Sequence, residues 1–122
     1  MIVPTPEIPV ELAQLAPVLV LRAGNEFEIQ IESVVGIGIS GEISNRYSVG
    51  EIPAEVGPQI TGVLREAHAT ENGTLQLEFE SGSSIRVFAD PDYEAWSVVG
   101  ADGFRVVCMP GGELAVWSGK GT

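Results

Sequence analysis

Apolar and polar residues alternate along two well-marked stretches of the chain. Phe27, Ile29 and Ile31 sit between Glu26, Glu28, Gln30 and Glu32, and a period of two predicts a strand with one face in a core and one in water. The apolar run Val18-Leu19-Val20-Leu21 precedes it across the turn residues Ala23-Gly24-Asn25, so the two form a hairpin. Leu75, Leu77 and Phe79 alternate in the same way with Gln76, Glu78 and Glu80. Residues 60–70 are ambiguous: Ile60, Val63, Leu64 and Ala67 fit a helix face, while Val63, Arg65, Ala67 and Ala69 fit a strand. Gly62 weakens the helix, and Asn72-Gly73 is a strong hairpin signal. The pattern therefore predicts strands over 62–70 and 75–80, and after Ser81-Gly82-Ser83-Ser84 another over 85–89.

Further strands are expected at Ala95–Val99, Phe104–Met109 and Glu113–Trp117, divided by Gly100–Gly103 and by Pro110-Gly111-Gly112. Residues 1–10, with Pro4, Pro6 and Pro9, predict an extended entry segment, because proline blocks helix and central strand alike. Glu11–Ala16 allows one helical turn ended by Pro17. An edge strand is expected near 34–40, then a long irregular excursion to residue 58, and residues 118–122 form a tail. The resulting fold class is mainly β: small antiparallel sheets built from hairpins, as a sandwich or a partly closed barrel, with at most one short helix, in a single domain over residues 1–122. Leu19, Leu21, Gly24, Phe27, Ile29 and Ile31 recur as Leu77, Phe79, Gly82, Ile85, Val87 and Ala89 at a constant offset of 58 residues. This suggests two similar halves, although any two alternating hairpins resemble one another.

Composition narrows the function more than the fold. Seventeen Asp and Glu against six Lys and Arg give a formal charge of -11. Such a surface repels phosphate, which disfavours nucleic acid and anionic membranes as partners. It attracts a basic protein, and it also serves plain solubility. The single cysteine, Cys108, allows no internal disulfide. The N-terminus has no basic stretch followed by a long apolar one, and a cytoplasmic location is the expectation.

Little catalytic chemistry is available. Cys108 lies in the apolar run Phe104–Met109, where a buried thiol acts as a small hydrophobe. His68 stands without a nucleophile nearby. One His and one Cys are too few for zinc, and Asp90, Asp92 and Glu94 lack the spacing of a calcium loop. The run Gly36-Ile37-Gly38-Ile39-Ser40-Gly41 lacks the spacing and the Lys of a phosphate-binding loop. No cofactor, no metal and no enzymatic activity are expected. The acidic outer faces Glu26/Glu28/Glu32 and Glu78/Glu80 are candidate partner-binding stripes, with Asp92 and Tyr93 as further candidates and Tyr93 as a potential aromatic anchor. Simple solvation explains the stripes equally well. Trp96 and Phe104 are expected in the core, and leftover apolar residues in 34–56 offer a face for a homodimer.

From Asp90 to Trp117 the chain carries Tyr93-Glu94-Ala95-Trp96 and Pro110-Gly111-Gly112-Glu113-Leu114-Ala115-Val116-Trp117. This resembles the C-terminal signature of a domain-of-unknown-function family of small bacterial proteins. The resemblance covers about the last 55 residues, reaching up to Gly73, and only loosely the first 60. Similar segments occur in proteins treated as immunity proteins of polymorphic toxin systems, so the resemblance implies a non-catalytic protein that binds and neutralises a cognate toxin, a basic nuclease for instance. It implies no catalytic residues. In the signature itself Pro110-Gly111-Gly112 is expected to turn the chain, and Leu114, Val116 and Trp117 to return to the core.

Overall fold

The computed structural model describes residues 1–40 and 42–118. Among the described residues, eleven strands form two antiparallel sheets. The first sheet contains β1 (Glu11–Gln14), β2 (Leu19–Ala23), β3 (Phe27–Ile31), β9 (Trp96–Val99), β10 (Phe104–Cys108) and β11 (Leu114–Ser118), in the order β1-β2-β3-β9-β10-β11. The second contains β4 (Val35–Ile39), β5 (Glu42–Tyr47), β6 (Leu64–Ala69), β7 (Leu75–Phe79) and β8 (Ser83–Val87), in the order β5-β4-β8-β7-β6. The inner faces share one core. Leu19, Leu21, Ile29, Ile31, Trp96, Val98 and Val106 from the first sheet join Val35, Ile37, Leu75, Leu77, Phe79, Ile85 and Val87 from the second. Each large apolar side chain so buried contributes about 1.5–3 kcal/mol, and this alternation fixes the register, since a slip of one residue would put every apolar side chain in water.

The hairpins read from the alternation are present: β2 pairs with β3, β6 with β7, and β7 with β8. The internal repeat has a different offset. Leu21 lies opposite Ile29 and Leu77 opposite Ile85, so the two hairpins coincide at 56 residues, not 58. The sequence match aligns Gly24 with Gly82, but Gly24 follows its first strand directly, whereas Gly82 directly precedes its second strand.

Three expectations are corrected. Glu11–Gln14 is a strand, not a helical turn, and it pairs with β2 through an irregular register between Leu12 and Gln14. The segment near 34–40 is not an edge: β4 lies between β5 and β8. The excursion after it contains strand β5 and a 3₁₀ helix, Ala54–Ile60, which buries Val56 and Ile60 and packs on β8 and β4. Sequence hid β5 because its pattern is mixed, with only Ile43 and Tyr47 turned from solvent in part. The glycines of β4 have a structural reason. A Cβ on Gly38 would lie 1.7 Å from the Glu42 carbonyl oxygen, and one on Gly36 would lie 2.6 Å from Ile43 Cγ2. They let β5 fold onto the outer face of β4 at a bulge between Ile37 and Gly38.

One end of the sandwich is locked by turns from both sheets. Gly73 in the β6–β7 turn has φ +86°, and Gly112 in the β10–β11 turn has φ +98°. The two backbones touch so closely that a Cβ on Gly73 would stand 2.5 Å from Gly112 Cα. The indole Nε1 of Trp96 donates to the Gly73 carbonyl at 2.8 Å, and Cys108 Sγ lies 3.4 Å from the same oxygen. Gly111 N–H donates to the Asp90 carbonyl at 2.8 Å. The residues that carry the C-terminal resemblance thus hold the two sheets together. Trp96 is in the core, and Phe104 and Leu114 pack against it. Val116 and Trp117 are not inside: they are 46% and 52% exposed on β11, because β11 is the last strand and nothing among the described residues covers it. Of the expected tail, Ser118 ends β11, and residues 119–122 lie outside the described residues.

The entry segment crosses between the sheets. Val3 and Ala69 N–H groups bond to the Ala67 and Met1 carbonyls, and Val10 and Gly62 exchange hydrogen bonds. Residues 4–9 run from the β6 edge to the start of β1.

Candidate functional site

The crossing of the entry segment builds a concavity. It is lined by Pro4, Pro6 and Ile8 of the entry segment, by Glu26 and Phe27, and by Gly100 and Ala101. Its volume is about 370 Å³. A second recess of about 300 Å³ adjoins it, sharing Glu26, Phe27 and Gly100 and opening past Arg22, Glu28 and Val99 onto the outer face of the first sheet. Prolines stiffen one wall, and Phe27, only 4% exposed, is anchored in the core. Glu7 and Glu26 line this apolar groove. Neither carboxylate has a hydrogen bond or ion pair among the described residues.

Glu28 differs. Its carboxylate accepts hydrogen bonds from Gln30 Nε2 at 2.8 Å and Arg22 Nη2 at 2.7 Å. The Gln30 amide and the Arg22 guanidinium together hold the carboxyl below its ordinary range. A row crosses the sheet here: Glu11 opposite Arg22, Arg22 opposite Glu28, Glu28 opposite Val99, Val99 opposite Arg105, and Arg105 opposite Trp117. The Arg105 guanidinium lies 5.4 Å from the centre of the Trp117 ring. Val99 is 41% exposed beside it.

The remaining candidate residues lie elsewhere. Glu32 follows the far end of β3 from Glu26, about 20 Å away at strand spacing. Its N–H donates to the Ala95 carbonyl, so it stands near the turn bearing Asp92 and Tyr93. That turn is fixed by the Asp90 carboxylate, which accepts the N–H groups of Asp92 and Tyr93 at 2.8 and 3.1 Å, and it leaves Tyr93 73% exposed. Glu78 is on the outer face of the second sheet, ion-paired with Arg65, and Glu80 is exposed in the β7–β8 turn. The structure therefore brings Glu26 and Glu28 together and separates them from Glu32, Asp92 and Tyr93 and from Glu78 and Glu80. The entry-segment wall, Val99 and the Arg105–Trp117 pair were missed from sequence. The prolines were a signal of a rigid extended segment, but no periodicity says which edge such a segment crosses.

His68 and Cys108 lie in different sheets. Burial pushes the Cys108 thiol up, which keeps it protonated and unreactive. Among the described residues no three His, Cys, Asp or Glu side chains are grouped to hold a metal ion. No helix among them is long and apolar enough to cross a membrane.

These features define a small all-β sandwich with a groove lined by apolar side chains together with Glu7 and Glu26. The chain belongs to a family of unknown function, DUF6188, whose model matches residues 1–118. No curated protein and no solved structure matches it.

Proposed function

We propose that this protein is a non-catalytic binding domain of the immunity-protein kind, which captures a basic bacterial toxin and neutralises it. The observation that carries this reading is the groove: an apolar floor at Phe27, a proline-stiffened wall, and the unpaired carboxylates of Glu7 and Glu26 at the rim. A lysine or arginine of a partner would lay its methylene stem on Ile8 and Phe27 and bring its charge to Glu26. Removing the pair from water strengthens it, and the preformed site costs little ordering. The net charge of -11 steers a basic partner toward it. The resemblance of the C-terminal segment to immunity proteins supplies the class of partner. Glu32, Glu78, Glu80, Asp92 and Tyr93 are outlying contacts in this reading.

The test is affinity capture of the tagged protein from its native cells at low and high salt, then calorimetry with the captured partner. We expect one basic protein with a toxin domain, released by salt, and a loss of affinity of about tenfold or more for Glu26→Lys. Recovery of the protein alone from cells that express the toxin overturns the toxin reading. Full affinity in Glu26→Lys with a loss in Tyr93→Ala moves the contact to the opposite end of β3.

A further inference from the structure

The two sheets have four edges, and three are blunted against pairing with another strand. β1 has four residues, an irregular register and Glu11 on it. β5 is bulged and carries Glu42 and Arg46. β6 has a register shift at Leu64/Glu66 and is flanked by residues 1–3 and Val10 of the entry segment. Among the described residues, the fourth edge, β11, has none of these protections. Its register with β10 is unbroken over all five residues, it contains no charged residue, proline or glycine, and it exposes Val116 and Trp117.

We propose that β11 is a self-association edge: two copies of this chain join β11 to β11 antiparallel across a two-fold axis, making one continuous sheet. This inference stands apart from the toxin reading and uses a different surface.

The hydrogen-bond ladder fixes which backbone groups are free. Gly100 N–H donates to the Phe104 carbonyl, and Met109 N–H donates to the Glu113 carbonyl. Antiparallel ladders alternate, so Phe104, Val106 and Cys108 bond toward β9, while Arg105, Val107 and Met109 bond toward β11. On β11 it follows that Ala115 and Trp117 bond to β10, and Leu114, Val116 and Ser118 direct their N–H and C=O groups at the open edge. A two-fold axis normal to the sheet keeps each face on its own side, so opposed residues must have the same parity. The register that pairs all five residues puts Val116 opposite Val116, Leu114 opposite Ser118, and Ala115 opposite Trp117. Every free backbone group of Leu114, Val116 and Ser118 then meets one of the other copy.

The side chains suit this register. On the inner face the two half-exposed Val116 side chains cover each other. On the outer face the small Ala115 lies beside the large Trp117 of the other copy, whose indole faces Arg105. Charge selects a second copy at this edge over the others. Two chains of -11 repel, and repulsion is least where the edge strand itself has no acid, with Glu113 just before it and Arg105 beside Trp117 on the neighbouring strand. Pairing at β1, β5 or β6 would instead join edges that carry Glu11, Glu42 or Glu66.

Sedimentation of the full chain from about 1 to about 500 µM tests this. We expect the mass to rise from 12.9 kDa toward twice that value. Val116→Pro removes an edge-facing N–H without touching the bonds to β10, so it yields a monomer with the wild-type circular dichroism spectrum. Ala115→Glu, which sets a carboxylate beside the other copy's indole, gives the same result and serves if the proline variant fails to fold. Wild-type protein that stays monomeric over the whole range overturns the proposal, as does a dimer that survives in a folded variant of either kind.

Discussion

Gly73 and Gly82 have nearly the same backbone conformation, φ +86° and +98°, but different surroundings. Nothing lies within 4 Å of a Cβ on Gly82, whereas one on Gly73 would overlap Gly112 and crowd Cys108 Sγ at 2.9 Å. Gly82→Ala therefore carries only the left-handed strain of about 1–2 kcal/mol. Gly73→Ala adds the separation of two backbones and the Trp96 bond to its carbonyl, for a total of about 3 kcal/mol or more. Thermal denaturation of the two variants checks the difference, and equal losses would mean that the turns do not lock the sheets. Glu28 gives a prediction in pH. Its folded-state carboxyl is lowered from 4.5 by the Gln30 hydrogen bond and by Arg22. A group lowered by folding stabilises the fold above its unfolded value, and that contribution fades as pH falls from 4.5 through the lowered value. A carboxyl-detected NMR titration should place the Glu28 midpoint below 4.5, and both Gln30→Ala and Arg22→Ala should raise it.

At the level of elements, the sequence is legible where one face is buried and the other is wet. Phe27–Ile31 and Leu75–Phe79 announce themselves by period two, and Asn72-Gly73 gives the turn between β6 and β7. Legibility fails where packing overrides pattern. β4 has Val35, Ile37 and the two glycines all buried, so it shows no alternation, and its glycines look like loop residues until Ile43 and the Glu42 carbonyl are placed over them. β1 lies at an edge with its residues largely exposed, and a four-residue segment with only Leu12 turned in part from solvent has no strand signature. β11 misleads in the opposite sense. Leu-Ala-Val-Trp reads as core by hydropathy, yet its neighbours end at β10, and strand order is set by contacts distant in sequence. Of the candidate site, the alternation marks Glu26 and Glu28 as turned from the core. The groove beside them depends on where residues 4–9 cross between the sheets, which no local pattern encodes.

For the whole molecule, the charge of -11 acts in opposite directions on the two proposed associations, and salt separates them. A basic partner is drawn in by the long-range field, so screening slows its association; with a Debye length of about 10 Å at 0.1 M salt, the on-rate should fall steeply between low and physiological ionic strength while the off-rate changes little. Two copies of the chain repel through the same field, so screening should tighten the β11 pairing. Stopped-flow kinetics with the captured partner and sedimentation of the protein alone, over one series of salt concentrations, should therefore give affinities that move apart. If the groove and β11 are separate surfaces, Glu26→Lys weakens only the first association and Val116→Pro only the second. A variant that abolishes both would mean that the partner also docks along the Val99–Arg105–Trp117 end of the first sheet, and that self-association competes with capture.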